Sequence, residues 1–473
     1  MTRSPDMTCR DPCVFKYPEC LEEVLKKVKP SAEDKRALDL FAERLMAVVL
    51  EEANTRAGGE VSVELHGSYR HDTWLKGEAD IDLFLLFPKK YSLEEMKEVA
   101  RRVSEGSSAR LGARVEERYA SHPYYTLVFP NSVEVDVVPA YRVFSPSEIV
   151  TPVDRTQLHT AYLERKLSEK PWLKDEIRLL KRLLKNLGIY GAEQSLKGFS
   201  GYLAEILVVY YDGLEKLLRE AARWRPGKVA VPDGKDLLER FKGQPLVVLD
   251  PVDSRRNAAA SVSLDSLSKF ILAAKMFSED ENILCCLLDP PEPRVDPDEE
   301  LPRLLSSHNV IAVLARRHPE LPGDALLGKM QRIGKSLEGY LAGLGFKVLR
   351  FKATLLSGTP ALLVELESLT SPKTVLHVGP PVWHPNAGNF LRKWSTKSYG
   401  PFVSNGRLAV IRNVVSEEIS EHVLSLLKSY AGFSWEVKDL RNILRDLSAE
   451  EKKEVYRWLS SVEPWTICAQ YMS

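Results

Sequence analysis

The sequence predicts a multidomain protein that combines the α/β and α+β classes. We expect an α/β domain over 1–150, a helical central domain over 151–288, and an α+β C-terminal region with a helical tail over 289–473. Alternating strand-like runs cluster in the first part, apolar residues at helical spacing fill the second, and β-branched runs alternate with helical patterns in the third. A chain of 473 residues is also long enough to form about two to four domains.

The first domain is predicted to alternate helices and strands after a loose N-terminal extension over 1–17. Ser31 has the side chain of a helix N-cap, and Gly58-Gly59 is a typical helix end. Apolar spacing then predicts helices at 18–29, 31–57 and 93–107, and strands at 61–66, 80–87, 113–120, 124–129 and 132–138.

The central and C-terminal parts differ in their periodicity. The central domain is predicted to have helices at 173–187, 200–211 and 262–276, with a surface loop or short strands at 225–245. Proline and acidic residues over 289–300 indicate a linker. Beyond it, a strand at 308–316, a helix at 326–344 and strands at 346–354 and 361–367 suggest a ferredoxin-like unit. Further helices are predicted at 384–395, 416–429, 436–447 and 449–460.

Composition narrows the protein class. Lys plus Arg and Asp plus Glu both number 66, so any basic surface must be local. No apolar run reaches membrane-spanning length and no signal sequence is visible, so we expect a cytoplasmic protein that uses no membrane. The six cysteines do not resemble the disulfide framework of a small secreted domain, and we expect reduced thiols. They are Cys9, Cys13, Cys20, Cys285, Cys286 and Cys468.

The strongest chemical signal is a pair of aspartates at the start of an apolar strand. Asp80 and Asp82 are two residues apart, so on a strand their carboxylates point to the same face. Asp136 lies on the polar face of a second alternating run. An isolated Asp-X-Asp is more often a solvated strand edge. Here a Gly67-Ser68 turn precedes it, which favours an Mg²⁺ site for two-metal nucleotidyl transfer.

Longer motifs make the chain resemble the archaeal-type (class I) CCA-adding tRNA nucleotidyltransferases, a branch of the polymerase-beta-like nucleotidyltransferase superfamily. The resemblance runs from about residue 35 to residue 400. It rests on Gly67-Ser68-Tyr69, Asp80-Ile81-Asp82, Val133-Glu134-Val135-Asp136, Gly188-Ile189-Tyr190-Gly191, Gly198-Phe199-Ser200-Gly201-Tyr202, Asp250-Pro251-Val252-Asp253, Arg256-Asn257 and Asn389-Phe390-Leu391-Arg392-Lys393-Trp394.

The resemblance implies template-independent addition of C, C and A to the 3′ end of tRNA from CTP and ATP. It implies Mg²⁺ bound by Asp80, Asp82 and Asp136, and a triphosphate contact from Ser68. Relatives often have an arginine where this chain has His71, and the neighbouring Arg70 leaves two candidates for that contact. Further nucleotide-binding positions implied by the resemblance are His159, Lys181, Tyr190, Ser200, Tyr202 and Arg256.

The C-terminal third is expected to bind tRNA by backbone and shape, since basic pairs lie near tryptophans there. These are Arg316-Arg317, Arg350 with Lys352, and Arg392-Lys393, with Trp383 and Trp394 nearby. Relatives commonly dimerise, and the sequence itself does not decide whether this chain forms a homodimer. Two other functions stay open at this point. One is a poly(A)- or oligoadenylate-type transferase, and the other is an inactive RNA-binding protein.

Overall fold

The computed structural model describes 16–78, 80–119, 123–130, 133–194, 196–291, 295–319, 321, 323–370, 373–397, 399–413 and 418–469. These residues form two compact units. Unit 1 comprises the described parts of 1–293 and 463–473, and unit 2 comprises those of 294–462.

Unit 1 begins with an α/β layer built around a five-stranded sheet. Its strands run in the order β1-β2-β5-β4-β3, with β2 and β5 parallel and the other neighbours antiparallel. The elements are α1 (Glu19–Val28), α2 (Ala32–Ala57), β1 (Ser62–His66), α3 (Gly67–His71), β2 (Ile81–Phe87), α4 (Leu93–Leu111), β3 (Arg114–Tyr119), β4 (Pro123–Val128) and β5 (Glu134–Tyr141). Ser31 and Ser92 are the N-caps of α2 and α4, and each forms a capping box in which the serine side chain accepts from the amide of the third helical residue.

One face of this sheet packs against α2 and α4, and the other carries polar residues next to a smaller apolar cluster. Ile81, Leu83, Leu85 and Phe87 of β2 are fully buried in one hydrophobic cluster with residues of α2 and α4. Because side chains alternate along a strand, the residues between them face the other side of the sheet. That alternation places Asp82 on the face opposite α2 and α4, together with the buried side chains of Phe84 and Leu86, and the candidate site lies on that face.

The rest of unit 1 is helical, as the sequence predicts. Leu180, Leu184, Leu203 and Phe270 lie in its large apolar core. The elements are α5 (Arg155–Glu169), α6 (Leu173–Asn186), α7 (Gly201–Tyr211), α8 (Leu214–Ala221), β6 (Ala230–Val231), α9 (Lys235–Arg240), β7 (Val247–Val248), α10 (Leu264–Glu279), α11 (Ile283–Leu288) and, near the C-terminus, α17 (Pro464–Ala469).

The expectation of reduced thiols is wrong for four cysteines. Cys20 of α1 is bonded to Cys285, and Cys286 is bonded to Cys468 of α17, with Cα–Cα distances of 5.7 and 5.8 Å. The adjacent pair on α11 therefore joins the helices at both ends of unit 1. Spacing could not reveal these bonds because the partners are 265 and 182 residues apart in sequence. Cys9 and Cys13 lie outside the described residues.

Unit 2 contains a ferredoxin-like sheet, as predicted. Its antiparallel strands have the order β14-β8-β10-β9, which is the 4-1-3-2 order of a βαββαβ fold. A second sheet, β11-β13-β12, is inserted between β10 and α15. The elements are α12 (Pro297–Leu305), β8 (Asn309–Arg317), α13 (Gly323–Gly343), β9 (Val348–Leu356), β10 (Thr359–Leu366), β11 (Thr374–Pro381), α14 (Ala387–Trp394), β12 (Tyr399–Ser404), β13 (Arg407–Asn413), α15 (Ile419–Leu427), β14 (Ser434–Asp439) and α16 (Ala449–Ser460).

Two expectations for this region are wrong. The predicted helix at 436–447 begins as β14, the fourth strand of the ferredoxin-like sheet, where pairing with β8 outweighs helical spacing. The predicted linker at 289–300 runs into α12, because Asp296 caps that helix and Pro297 suits its first turn. Across the described residues, no helix has the length and apolar content needed to cross a membrane.

Candidate active site

The site starts from two carboxylates that the sheet brings side by side. In the parallel pair β2–β5, Asp82 is directly opposite Asp136. Asp80 immediately precedes β2. The Oγ1 hydroxyl of Thr126 on β4 donates a hydrogen bond of 2.6 Å to Asp136 Oδ1, which fixes one carboxylate oxygen. Three predicted site residues are thus brought to one end of one sheet face.

Gly67 lets the backbone approach this carboxylate pair. Its φ of +68° is in the left-handed region, and a Cβ there would lie 1.8 Å from Asp82 Oδ2. Any other residue would therefore combine backbone strain with a clash. The turn that follows is closed by a hydrogen bond of 2.9 Å from the amide of Thr73 to the carbonyl of Ser68. Gly67 consequently lies directly against Asp82, and Ser68 follows it along the cavity wall.

Burial and neighbouring acids disfavour negative charge at these carboxylates. Burial, with the nearby charges of Asp136 and Asp80, raises the pKa of Asp82 to about 7. Burial also raises the pKa of Asp80 and that of Asp136, and for Asp136 the Thr126 hydrogen bond opposes the effect. A cation would relieve this repulsion, so the carboxylates fit a hard metal ion such as Mg²⁺.

No group of three or more His, Cys, Asp and Glu side chains among the described residues is already arranged to hold a metal ion. Mg²⁺ commonly binds through one or two carboxylates and completes its coordination with water and substrate phosphates. The donor chemistry here therefore suits a metal that enters together with a phosphate ligand.

A cavity of about 380 Å³ opens over these carboxylates. This volume lies within the range of small-molecule sites. Residues from the sheet, α3, α5, α6 and α7 line it, and they include most of the predicted site. They are Gly67, Ser68, His71, Asp80, Asp82, Phe84, Asp136, Thr156, His159, Thr160, Lys181, Tyr190, Gly201, Tyr202 and Glu205.

The structure separates the two candidates for the triphosphate contact. His71 is 5% exposed and lines the cavity with the carboxylates. Arg70 points elsewhere: it lines a different cavity of about 390 Å³, and its Nε lies 2.6 Å from Glu164 Oε1. Of the two neighbours, only His71 is available at the carboxylate site.

Beneath His71 lies a buried polar network centred on Glu205. The carboxylate of Glu205 accepts hydrogen bonds from Thr73 Oγ1 at 2.5 Å, from Lys181 Nζ at 3.1 Å and from His71 Nδ1 at 3.1 Å. Burial alone would raise the pKa of Glu205, but the charges of Lys181 and His71 outweigh it and hold the pKa below its usual range. Glu205 is therefore an ionised carboxylate inside the protein.

A second cluster lies at the α5–α7 side of the cavity. The rings of His159 and Tyr202 are stacked with centroids 3.7 Å apart. Asp250 accepts from His159 Nε2 at 2.9 Å, from Tyr202 OH at 3.1 Å and from Arg256 Nη1 at 2.7 Å. Arg256 does not line the cavity, but Asp250 connects it to two residues that do.

The remaining predicted residues have distinct positions. Tyr190 lines the cavity, with the ammonium of Lys185 5.1 Å from its ring centroid. Ser200 is the N-cap of α7, where its Oγ accepts from the amide of Leu203 at 3.1 Å, and the cavity lining includes the next two residues instead. Ser200 therefore orients α7, which carries Tyr202 and Glu205.

Several residues of the site were not identified from the sequence. Glu205 lies in the apolar run of α7, and an isolated acid in such a run was the available signal, because a fully buried carboxylate needs partners. Thr73 and Thr126 gave no comparable signal, and Asp250 was part of a motif of the family resemblance but had no role assigned to it. Their roles depend on hydrogen bonds across chain separations of 132, 10 and 91 residues.

In unit 2, one of the predicted basic clusters is held in ion pairs. Arg350 donates to Glu365 Oε2 at 2.6 Å and to Ser461 Oγ at 2.6 Å, and Lys352 pairs with Glu454 at 2.8 Å. These two belong to ion pairs within unit 2. Trp383, one of the tryptophans that lie near the predicted basic clusters in sequence, is 77% exposed and available for contact with a ligand.

Comparison with known proteins adds three family matches. Residues 47–159 match the nucleotidyltransferase domain, 175–285 match the second domain of tRNA nucleotidyltransferases, and 308–440 match the C-terminal domain of CCA-adding enzymes. These matches cover the carboxylate site, the helical part of unit 1 and most of unit 2.

Full-length relatives agree with the domain matches. The chain is 36% identical to the CCA-adding enzyme of Pyrobaculum islandicum over 88% of this chain and 93% of that protein. It is 32% identical to the CCA-adding enzyme of Sulfolobus acidocaldarius over 94% and 98% of the two chains. Among solved structures, a cytoplasmic RNA terminal U-transferase aligns at 16% identity with a TM-score of 0.45, over 57% of this chain and 97% of that one. The relatives match this chain along nearly its whole length.

Proposed function

The chain belongs to the CCA-adding enzymes, and we propose that Asp80, Asp82 and Asp136 are the carboxylates on which its nucleotidyl transfer depends. As a member of this family it is a tRNA nucleotidyltransferase that adds C, C and A to tRNA 3′ ends, with CTP and ATP as its other substrates. The observation that carries the site assignment is the direct pairing of Asp82 with Asp136 beside Gly67.

Divalent metal is the natural counterion for this carboxylate group, and we infer that it is Mg²⁺. Asp80, Asp82 and Asp136 would hold it, and the bound metal would activate the RNA 3′-hydroxyl and neutralise the pyrophosphate that leaves. The protein supplies the rigid strands that fix the carboxylates. Gly67 contributes the space above them.

The nucleotide is proposed to occupy the cavity with its triphosphate toward Ser68 and His71. Ser68 follows the glycine that approaches the carboxylates, and His71 is the basic residue of α3 that lines the cavity. Lys181 lies at the same end, within the Glu205 network. A cationic and hydroxyl-bearing wall of this kind suits the oxygens of a phosphate chain.

The base is proposed to lie toward the stacked pair of His159 and Tyr202. Aromatic stacking accepts any base, so discrimination requires polar groups at the Watson–Crick edge. Asp250 and Arg256 lie next to the stacked pair and offer both an acceptor and a donor. We infer that this cluster selects C and A.

Unit 2 is proposed to contribute contacts to the tRNA backbone. Arg392 and Lys393 lie on α14, and the indole of Trp383 is largely exposed. Phosphate contacts by such residues would be independent of tRNA sequence and sensitive to salt.

We place the enzyme in the cytoplasm. We also infer a homodimer, because relatives commonly dimerise, and sedimentation at the working concentration of the assay would test this.

The decisive experiment offers the protein tRNA that ends at the discriminator base, with Mg²⁺ and labelled CTP and ATP, separately and together. Two C additions from CTP alone, and a further A only when ATP is present, are expected. A long A tail would assign the protein to the poly(A)-type transferases, and tRNA binding without incorporation would assign it to the RNA-binding proteins.

Asp82→Ala tests the carboxylate assignment in the same assay. Incorporation should be abolished because Asp82 lines the cavity of the proposed catalytic site. Binding of tRNA in a filter assay should stay within about twofold, because the tRNA backbone contacts are proposed for unit 2. Glu60→Gln is the matched control, since Glu60 is a surface carboxylate that pairs with Lys90 and Tyr91. Activity retained in Asp82→Ala would contradict the proposed role.

A further inference from the structure

Glu205 occupies an unusual position for a residue without an assigned role. It is 3% exposed, and three hydrogen-bond donors from two separate segments, the end of α3 and α6, meet its carboxylate. Two of these donors, His71 and Lys181, belong to the wall proposed to face the triphosphate. A buried charge lowers stability unless hydrogen bonds and ion pairs compensate for the loss of its hydration. A functional role would explain the presence of this carboxylate.

Lys181 makes all the hydrogen bonds its ammonium group can donate. Its Nζ lies 3.1 Å from Glu205 Oε1, 3.1 Å from Thr73 Oγ1 and 3.3 Å from the carbonyl oxygen of Thr73. A lysine ammonium has three N–H groups, and these three acceptors account for them. Lys181 therefore supplies charge at the wall of the cavity, while its donors fix Thr73 and Glu205.

His71 is in the opposite situation. Its Nδ1 is 3.1 Å from Glu205 Oε2, and an ionised carboxylate only accepts, so the hydrogen lies on Nδ1. Its Nε2 is buried and has no hydrogen-bond partner among the described residues. Since the ring lines the cavity, Nε2 is the polar atom of this network that is left for a ligand.

The acceptor end of the network is rigidly held. Arg178, which is 1% exposed, donates to the carbonyl of Trp74 at 3.1 Å and to the carbonyl of Asp72 at 2.5 Å. These bonds fix the backbone on both sides of Thr73. Thr73 in turn donates to Glu205, so the carboxylate is anchored independently of His71.

We propose that Glu205 is a positioning residue for nucleotide binding, which fixes the ring of His71 so that Nε2 meets the triphosphate of either CTP or ATP. The inference rests on the proposed function and adds to it a residue that acts on the nucleotide through His71. A phosphate at Nε2 would complete a two-sided arrangement: Nε2 takes up a proton from solvent as the phosphate binds, and the resulting imidazolium donates Nδ1–H to Glu205 and Nε2–H to the phosphate.

Glu205→Gln tests this with little change in shape. The amide can still accept from Thr73 and Lys181, but it carries no charge, and its NH₂ group would face Nδ1 of His71 as a donor. Without the carboxylate, the ring would turn over or hold a single hydrogen on Nε2, and it would no longer donate from both nitrogens in the fixed orientation. We expect the KM for CTP and the KM for ATP to rise about tenfold each, while kcat and the KM for tRNA change less than about threefold.

Two readouts separate positioning from a general structural effect. If Glu205 acts through His71, the double variant His71→Ala/Glu205→Gln should raise the KM for CTP no further than His71→Ala alone. The ring ¹⁵N shifts of His71, assigned with His71→Gln, should show Nδ1–H in the wild type and lose that signature in Glu205→Gln. The wild-type measurement stands even if the variant fails to fold.

Glu365→Gln is the matched control. Glu365 is 4% exposed and accepts from His308 Nδ1 at 2.5 Å and from Arg350 Nε at 2.6 Å, so it has the same kind of partners in unit 2. It should lower thermal stability but leave both nucleotide KM values unchanged.

The outcomes are distinct. A wild-type protein that adds neither C nor A would overturn the proposed function. An active wild type with unchanged nucleotide KM values in Glu205→Gln, additive effects in the double variant, or an Nε2–H tautomer in the free enzyme would overturn only the role of Glu205.

Discussion

Asp82→Asn should make the metal-free enzyme more stable while it abolishes catalysis. In the wild type, burial and the charges of Asp136 and Asp80 raise the pKa of Asp82 from 3.8 to about 7. Each pKa unit corresponds to about 1.4 kcal/mol, so the full shift is an upper bound of roughly 4 kcal/mol. Asp82 is partly accessible to solvent, which reduces the expected effect to about 2 kcal/mol.

The direction of the pH dependence follows from the raised pKa. Below about pH 4, the carboxyl is protonated in both the folded and the unfolded chain, and no cost arises. Between pH 4 and pH 7 the unfolded chain loses this proton first, so the free energy of unfolding falls as the pH rises. Above pH 7 the full cost is present, and Asp82→Asn removes it.

Thermal unfolding in EDTA at pH 5 and pH 8 measures this effect. At pH 8 we expect the variant to melt about 4 °C above the wild type, because a change of 1 kcal/mol shifts Tm by roughly 2–4 °C in a domain of about 200 residues. At pH 5 the difference should be smaller. Added Mg²⁺ should raise the Tm of the wild type and have little effect on the variant.

Asp253→Asn provides a control with the opposite sign. Hydrogen bonds from Arg255 and Arg155 outweigh burial and lower the pKa of Asp253 to about 2, so its charge stabilises the folded chain above pH 4. Removing it should lower Tm at pH 8. An Asp82→Asn variant that melts at or below the wild type at pH 8, or with the same difference at both pH values, would refute the reasoning.

Three further predictions follow from the geometry of unit 1. Arg70→Ala should leave the KM for CTP within about twofold, whereas His71→Ala should raise it about tenfold in steady-state assays, since only His71 lines the site; equal effects would contradict this. Asp250→Asn should raise misincorporation of UMP relative to CMP about tenfold in single-nucleotide assays, because Arg256 and His159 lose their shared partner; unchanged fidelity would oppose it. Cys20→Ser should lower the free energy of unfolding by about 2–4 kcal/mol in denaturant melts, since it removes the Cys20–Cys285 disulfide, whose partners are 265 residues apart in sequence. An unchanged midpoint of the unfolding transition would argue against that bond.

The sequence predicts the parts of this fold that depend on local periodicity. The strand that begins after Asp80 and the amphipathic helix α6 are both found where their patterns placed them. β14 was missed because its residues have helical spacing, and only pairing with β8 makes them a strand. The inserted sheet β11-β13-β12 was missed as well, since exposed strands such as β12 show no clear alternation of burial.

The candidate site divides in the same way. The carboxylates could be identified because their spacing on a strand is itself the signal. The distinction between Arg70 and His71 could not, because it depends on which way a five-residue helix turns its side chains. Glu205 and Asp250 also required the fold, since each accepts hydrogen bonds from residues more than 90 positions away.

The disfavoured charge at the carboxylates suggests why the site should depend on its substrate. The pKa is raised at all three carboxylates, chiefly by burial, and no group of three or more His, Cys, Asp and Glu side chains among the described residues forms a ready metal site. Mg²⁺ that draws some of its oxygen ligands from a triphosphate would bind best together with the nucleotide. His71 and Lys181, both hydrogen-bonded to Glu205, would then stabilise the phosphate charge that the metal does not neutralise. The metal side and the cationic side of the cavity would each be completed by the same ligand, which ties nucleotide binding to assembly of the catalytic site.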